Sequence, residues 1–254
     1  TIVLIAIGLV CIYPFLFMVS SSFKISGDVL TKPLQLIPDQ IIFSNYSDLF
    51  GDPYYDFGQW YINTIVMTVT TIVIKVFVVS ITAYAFSKIN FKGRDGIFLV
   101  LLTSLMIPSD IMLIPRYVIF KQIHILDTMW SLVLPATFDI YFVFMMRQAF
   151  IGIPEEISEA ARIDGCSYFR TYWNVLLPLV KPGLTTLAIL GMLNTWKDLM
   201  WPLINNSQAD KMTLAAGLAM LIGEHTTYYE QVMAGGVIAV LPLIVLFVIF
   251  QRQF

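Results

Sequence analysis

Six long apolar segments, separated by short polar stretches, constrain the fold of this chain more than any other feature. They lie at about 1–22, 61–87, 97–118, 128–150, 182–204 and 233–252. Each has close to the roughly 20 residues that a helix needs to cross a hydrocarbon core about 30 Å thick. In lipid, backbone N–H and C=O groups find no water to hydrogen-bond, so a spanning segment must pair them internally, as an α-helix does. The sequence therefore predicts an all-α membrane protein with six transmembrane helices in a single transmembrane domain over residues 1–254.

The composition argues against a soluble protein. Of the 254 residues, 58% are apolar and only 13% are charged, whereas about 25% are charged in an average soluble domain. The net charge of −2 gives no reason to expect a nucleic-acid partner, so the expected surroundings are membrane lipid. Cys11 and Cys166 do not form a disulfide framework, and His124 and His225 lack the spacing of metal ligands, so we expect no metal site.

The basic residues predict the orientation, since cytoplasmic loops carry an excess of Lys and Arg. The chain changes sides of the membrane at each of the six spans. On this count, eight basic residues lie on the same side as the 151–181 loop and six lie on the other side. We therefore place that loop and both termini in the cytoplasm. The segments 23–60 and 205–232 then face outwards, and the Pro, Asn and Asp of 27–58 suggest an ordered external cap.

The 151–181 loop is the most informative polar segment, and its first part predicts a short helix. Pro154 suits a first turn, and Glu155 and Glu156 follow at the end that the helix dipole favours for acids. Gly165 is placed to end this helix in a left-handed conformation. The residues spaced to form one small apolar face are Ile157, Ala160 and Ala161.

The second part of the loop predicts another short helix, capped by Ser167 and running to about Leu176. Its buried side is expected to carry three aromatic residues, and two prolines are expected to break it before the fifth span. These residues are Phe169, Tyr172 and Trp173, followed by Pro178 and Pro182.

The loop also carries a family resemblance. Glu159-Ala160-Ala161, Gly165 and then Leu177-Pro178 stand at the spacing that resembles the cytoplasmic coupling loop of ABC importer permeases. Other stretches are similar to the shorter permease of maltose-type carbohydrate importers, so that the resemblance covers about 60–254. These stretches are Tyr84 to Arg94, Met106 to Pro108, Leu113 to Pro115, Trp196 to Pro202, Leu241-Pro242 and Phe250 to Arg252.

The resemblance implies a type I ABC importer permease in a prokaryotic inner membrane. Its partners would be a second, related permease, two ATPase subunits and an extracellular solute-binding protein that delivers a sugar or oligosaccharide. The residues that would couple to the ATPase through the 154–178 loop are Glu159, Ala160, Ala161, Arg162, Gly165, Leu177 and Pro178.

The chain itself is expected to be neither an enzyme nor a cofactor carrier. It contains no Gly-x-x-x-x-Gly-Lys-Ser/Thr motif to cradle nucleotide phosphates. ATP and Mg²⁺ would therefore be bound by the partner ATPase subunits.

One face of the second span carries Thr64, Thr68, Thr71 and Lys75. A lysine near mid-membrane must face the bundle interior or water. Asp139 of the fourth span lies at a similar depth, so we hypothesise that Lys75 and Asp139 pair. The pair would either fix helix packing or line the solute path.

The fifth span supplies further candidates for solute contact, although its tryptophans are equally compatible with packing. The tentative substrate pathway comprises Thr68, Thr71, Lys75, Asn194, Trp196 and Asp198, with Trp201 as a further aromatic candidate. Lys197 replaces the Asn that the family usually has, either facing the outer vestibule or reaching the outer surface. Pro108 and Pro115 are expected to kink the third span.

The main alternative is a secondary transporter of a small polar solute, which would explain six spans without ATPase partners. It would leave the spacing of the Glu-Ala-Ala, Gly and Leu-Pro residues in the 151–181 loop unexplained, and the sequence has no obvious inverted repeat. A membrane enzyme would need a cluster of His, Cys or acidic residues at a common depth, which Asp110 and Asp139 alone do not provide.

Overall fold

The computed structural model describes residues 2–52, 55–222 and 228–251, which form α-helices joined by short turns. Thr1 and Arg252, at the ends of the first and last predicted spans, lie outside the described residues, as does His225. The helices are α1 Ile2–Ser21, α2 Ser26–Thr31, α3 Ser44–Gly51, α4 Phe57–Lys88, α5 Arg94–Thr103, α6 Leu113–Gln122, α7 Met129–Thr137, α8 Ile140–Ile151, α9 Glu155–Ile163, α10 Tyr168–Leu179, α11 Lys181–Trp196, α12 Met200–Asn205, α13 Leu214–Met220 and α14 Tyr229–Phe250.

Three of these helices, α1, α4 and α14, are long and apolar enough to cross a membrane alone. Three bent pairs also qualify if each pair counts as one span, which brings the number to as many as six. The pairs bend by 96° between 94–106 and 109–122, by 42° between 129–137 and 140–151, and by 81° between 168–179 and 181–196. The expected all-helical membrane architecture is therefore confirmed, but the third, fourth and fifth predicted spans are broken rather than continuous.

One compact unit comprises the described residues up to Thr64 and those of 206–249. In it, the 23–52 segment forms α2 and α3 and is fixed by buried polar contacts. The Lys24 ammonium, 2% exposed, donates to the Lys32 carbonyl at 2.9 Å. The Asn45 amide donates to the carbonyls of Ser22 and Lys24, both at 2.9 Å.

The start of α4 in this unit packs against the 206–222 segment. The fully buried Trp60 donates its indole N–H to the Ala209 carbonyl at 2.6 Å. Thr64 Oγ1 accepts the Leu214 N–H at 2.7 Å, which caps the start of α13. Gly217 lies against the Trp60 ring, where any Cβ would collide with the indole.

The other compact unit comprises 65–205 together with the described residues after Ile249. Its apolar core is formed by α4, α5, α8, α10 and α11, with fully buried Val79, Val143 and Leu176. Arg147 of α8 donates to the Phe86 carbonyl at 3.1 Å and stacks its guanidinium over the Phe98 ring at 4.4 Å. Both regions of functional interest lie within this unit.

Candidate transport cavity and coupling loop

A polar cavity of about 300 Å³ lies among the membrane-spanning helices of the second unit. Two cationic side chains line it, Lys75 from α4 and Arg116 from α6, together with three carboxylates. The carboxylates are those of Asp110, Asp139 and Asp198, and the remaining lining residues include Ser109, Pro135, Asn194, Thr195 and Trp201. Ionisable groups in a membrane segment are rare and mark solute or ion pathways, which makes this cavity the candidate transport site.

Helix breaks place the three carboxylates in the cavity. Asp110 lies in the short 3₁₀ turn Ser109–Met112, at the start of the second half of the pair that bends by 96°. Asp139 precedes α8 and accepts the Tyr141 N–H at 3.0 Å as its N-cap. Asp198 lies in the three-residue break between Trp196 and Met200. A break frees backbone groups and lets a short acidic side chain satisfy them, which favours Asp at these positions.

The Arg116 guanidinium stacks over the Trp201 ring, 5.0 Å from its centroid. Trp201 is 2% exposed and donates its indole N–H to the Ser131 carbonyl at 2.8 Å. The Asn205 amide donates to the Ser131 hydroxyl at 2.7 Å. Trp201 therefore has a fixed orientation, and its place at the cavity is set by packing as well as by any solute contact.

Lys75 is 3% exposed, and its ammonium lies 5.0 Å from the centroid of the Phe142 ring. The sequence predicts that Lys75 pairs with Asp139, and the structure brings both to the same cavity. Among the ion pairs of the described residues, none joins them, because Asp139 caps α8 instead. The direct pair therefore stays a prediction.

The structure divides the tentative pathway residues. Lys75, Asn194 and Asp198 line the cavity, whereas its described lining does not include Thr68, Thr71 or Trp196. Thr68 and Thr71 are buried, and their hydroxyls have no hydrogen-bond partner among the described residues. Lys197, in the break after α11, is exposed and is not part of that lining.

The 151–181 loop has the two helices that the sequence predicts. Its first helix, α9, carries Glu155 and Glu156 in the first turn and begins directly after Pro154. Gly165 has a φ of +82°, and its N–H donates to the Arg162 carbonyl at 3.0 Å. The Cys166 N–H donates to the Ala161 carbonyl at 3.0 Å, which completes a Schellman-type helix end.

The apolar face expected on α9 is split in the structure. Ala161 is 7% exposed and Ile157 packs against the core, whereas Ala160 faces outwards. Ile163, missed in the sequence analysis, is 86% exposed and follows Ala160 by three residues. The outward face thus combines Glu159, Ala160 and Ile163.

The second loop helix, α10, is capped by the Ser167 side chain, which accepts the Arg170 N–H at 3.3 Å. It continues to Leu179 through a π-helical segment at Thr171–Leu176, so it runs past its predicted end near Leu176. Pro178 lies at the start of the last short α-helical segment, Leu177–Leu179, where its missing N–H costs no helical hydrogen bond. The break comes at Val180, between Pro178 and Pro182.

The aromatic side of α10 also differs from the expectation. Tyr172 is 1% exposed, but Phe169 is 56% and Trp173 is 50% exposed. The two exposed rings stack on each other with centroids 6.2 Å apart. Of the remaining predicted coupling residues, Leu177 packs against the core, while Glu159, Arg162 and Pro178 are exposed.

Residues 76–254 match the family described as "Binding-protein-dependent transport system inner membrane component". The chain belongs to this family. It is a multi-pass inner-membrane permease component of an ABC importer, as the loop resemblance implies, and the secondary-transporter alternative is not favoured.

Several members of the family are similar to this chain along most of its length. The arabinooligosaccharides transport system permease protein AraQ of Halalkalibacterium halodurans is 32% identical over 98% of this chain and 89% of its own. The diacetylchitobiose uptake system permease protein NgcG of Streptomyces coelicolor is 29% identical over 97% and 82%. The sn-glycerol-3-phosphate transport system permease protein UgpE of Yersinia pestis is 30% identical over 90% and 83%.

A solved structure has the same fold. It is described as a bacterial ABC transporter involved in the import of the acidic polysaccharide alginate, and the matched chain superposes with a TM-score of 0.87. The match covers 100% of this permease and 94% of that chain at 24% identity. The type I permease fold predicted from the sequence is therefore confirmed.

Sequence reasoning missed Arg116 as a cavity residue, because Arg116 was counted among the basic residues of the outer side, near the end of the third span. It also placed Asp139 inside a continuous helix. The signals that could have corrected this are the prolines ahead of the breaks, Pro108 and Pro135, each followed within four residues by an aspartate. In the described part of the chain, no three His, Cys, Asp or Glu side chains are grouped to hold a metal ion.

Proposed function

We propose that this permease forms half of the pathway for a carbohydrate-class solute, a sugar or oligosaccharide, in an ATP-driven importer. The observation that carries the proposal is the charged cavity among otherwise apolar helices. Lys75, Arg116, Asp139, Asn194 and Asp198 offer both donors and acceptors there. Paired donors and acceptors suit a polyhydroxylated solute, whose hydroxyl groups act as both.

The relatives support this solute class. Two of them are named for oligosaccharides, arabinooligosaccharides and diacetylchitobiose, and one is named for sn-glycerol-3-phosphate. All three are polyhydroxylated molecules or their phosphate esters. The cavity holds two cations and three carboxylates, a balance that favours a neutral sugar over an anionic one.

The cytoplasmic loop supports an ATPase partner. Glu159, Ala160 and Ile163 form an outward face on α9, and Gly165 turns the chain sharply away at its end. We propose that this face, with Arg162, contacts an ATPase subunit and that Ala161, Leu177 and Pro178 fix its position. A small outward residue at Ala160 allows a partner to approach closely.

In the proposed assembly this permease pairs with a second, related permease, and two ATPase subunits bind ATP and Mg²⁺ at the cytoplasmic loops. A solute-binding protein delivers the sugar from outside. Both termini of this chain and the 151–181 loop lie in the cytoplasm. The chain binds no cofactor of its own.

The test is purification of the tagged chain from membranes in mild detergent, followed by identification of the proteins that accompany it. We expect a second permease and an ATPase. Gly165→Val should lose the ATPase. Gly165 has a φ of +82°, a backbone conformation that strains a β-branched residue, even though no atom lies within 4 Å of the added Cβ.

Gly152→Val is the matched control, since Gly152 lies in the same loop with a φ of −64°, which valine adopts. It should retain the ATPase. A wild-type chain that purifies alone or as a homo-oligomer would contradict the proposed function.

A further inference from the structure

One face of α4 is fastened to the cytoplasmic loop at three successive turns. Ser80, Tyr84 and Lys88 are spaced by four residues, so their side chains lie one above the other on the helix surface. Each of them hydrogen-bonds to a residue of the 151–181 loop. We call these three hydrogen-bonded positions the α4–loop contacts.

The Lys88 contact ties α4 to the start of α9. Its ammonium donates to the Ile153 carbonyl at 2.7 Å and to Glu155 Oε2 at 2.9 Å. The Lys88 side chain is only 4% exposed, whereas that of Glu155 is 56% exposed. A nearly dry ammonium needs its partners, and here both partners come from the loop.

The other two contacts tie α4 to α10. Tyr84 donates its hydroxyl to the Tyr168 carbonyl at 3.0 Å. The Ser80 hydroxyl lies 2.7 Å from that of Tyr172. Ser80 Oγ is also 2.5 Å from the Val76 carbonyl, which can only accept, so Tyr172 is the donor of this pair.

Burial makes these contacts rigid. Ser80 and Tyr172 are each 1% exposed, and Tyr84 is 5% exposed. Water cannot replace a hydrogen bond in such a place without a rearrangement of the packing, so these contacts hold the loop to α4. A displacement of the loop therefore moves the cytoplasmic end of α4 with it.

The same helix reaches the cavity. Lys75 lines the cavity and lies 13 residues before Lys88 in the unbroken helix Phe57–Lys88. At about 1.5 Å per residue, the two lysines are about 20 Å apart along the axis. No helix break interrupts this stretch, so α4 is a direct connection between loop and cavity. The helices α8 and α11 also run from the cavity to the loop, but they continue into it through the chain itself.

We propose that Ser80, Tyr84 and Lys88 are positioning residues that convert movement of the cytoplasmic loop into movement of α4 at the cavity. The proposal rests on the proposed function, in which an ATPase moves the loop. Without the α4–loop contacts the ATPase still docks and hydrolyses ATP, but α4 no longer follows, so the complex is uncoupled.

The test uses the complete complex, purified with its own partners and reconstituted in vesicles, with its binding protein and ligand supplied. Solute uptake and ATP hydrolysis are measured in the same sample, together with the amount of ATPase subunit that accompanies the chain. For Lys88→Met we expect an intact complex with ATP hydrolysis close to wild type, and uptake per ATP lowered at least about fivefold.

Lys88→Arg keeps the charge and the donors, so it should recover most of the coupling. Lys92→Met is the matched control, because Lys92 is an exposed lysine in the same cytoplasmic turn. It should leave uptake per ATP unchanged. Unchanged uptake per ATP in Lys88→Met, or an equal loss in Lys92→Met, would overturn the proposal.

A milder pair of variants covers the case in which Lys88→Met fails to assemble. Tyr172→Phe and Ser80→Ala each remove one side of the same hydrogen bond, so the double variant should lower uptake per ATP no further than either single one. Additive losses, or none, would contradict the proposed role of this contact. Failure of the proposed function is distinguished by the wild type, which would then show no ATPase and no ATP-dependent uptake.

Discussion

The membrane cavity and the 151–181 loop are both polar regions of an apolar chain, but they are assembled in different ways. The loop is one continuous segment, 151–181, with its helix signals in sequence order. The cavity takes its lining from separate stretches of α4, the two bent pairs before α9, and the break after α11. Local signals therefore describe the loop well, whereas the cavity depends on how distant segments pack.

The two regions also use glycine, proline and aspartate differently. In the loop, Gly165 ends a helix and its neighbours present a surface to a partner. In the cavity, Asp110, Asp139 and Asp198 mark interruptions of helices that their hydropathy predicts to be continuous. The comparison predicts that variants on the outward face of the loop lose the partner, while cavity variants keep the partner and lose the solute.

The largest effect is expected at the outward face of α9. Ala160→Trp should lower recovery of the ATPase subunit at least about thirtyfold, equivalent to about 2 kcal/mol, because a bulky ring blocks close approach. Ala160 is exposed, so the variant should keep its fold. Quantitative co-purification measures the effect, and Lys92→Trp, at another exposed cytoplasmic position, is the control. Equal recovery in both variants would remove the distinction between loop and cavity.

A somewhat smaller effect is expected at the cavity. Arg116→Met should lower uptake about tenfold, equivalent to about 1.4 kcal/mol, with the ATPase retained. The guanidinium both lines the cavity and stacks on Trp201. Arg116→Lys keeps the charge and loses the planar stack, so it separates the two roles. Loss of the ATPase from Arg116→Met would mean that the cavity and the loop are not separable.

The relation of Lys75 to Asp139 gives an effect of intermediate size. Lys75→Glu and Asp139→Lys should each lower uptake about fivefold, the effect of about 1 kcal/mol. If the two side chains pair during transport, the double reversal recovers part of the loss. A double variant no better than either single one would show that they share the cavity without pairing.

The smallest effect is expected where charges are fully solvated. The hydrogen bond that the Lys32 ammonium donates to the Asp39 carboxylate holds the pKa of Asp39 below its usual range and raises the pKa of Lys32. Because the Asp39 pKa is depressed on folding, its contribution to stability is present above the unfolded pKa and is lost as the pH falls through the folded one. Asp39→Asn should therefore lower the melting temperature at neutral pH by less than about 2 °C, a difference that disappears in strong acid. A larger shift at neutral pH would contradict the assumption that solvation weakens this pair.

Much of the fold followed from hydropathy alone. The first, second and last predicted spans correspond to α1, α4 and α14, since nothing interrupts their apolar runs. The third and fourth did not remain straight, because Pro108 and the Pro135–Asp139 stretch break the helix ladder. Hydropathy averages over such positions, so it reports that a segment is apolar and not whether it is continuous.

The loop residues were predicted in detail because caps and left-handed glycines act within one helical turn. Gly165 and Ser167 have the roles that their types predict. The outward turn of Ala160 and Ile163 was not predictable, since the side of α9 that is buried depends on contacts to the core. Lys88 was counted in the sequence only as a cytoplasmic cation, and its burial against Ile153 is visible only in the structure.

The sequence by itself determined that this chain lies in a membrane as a helical permease, because the bilayer imposes segment length and the loop motif acts locally. Only the tertiary structure decided which charged residues meet, how Arg116 and three aspartates share one cavity with Lys75, and which face of α4 holds the loop. The cavity brings together residues up to about 120 positions apart, from Lys75 to Asp198. They depend on packing between helices, which no local signal in the sequence encodes.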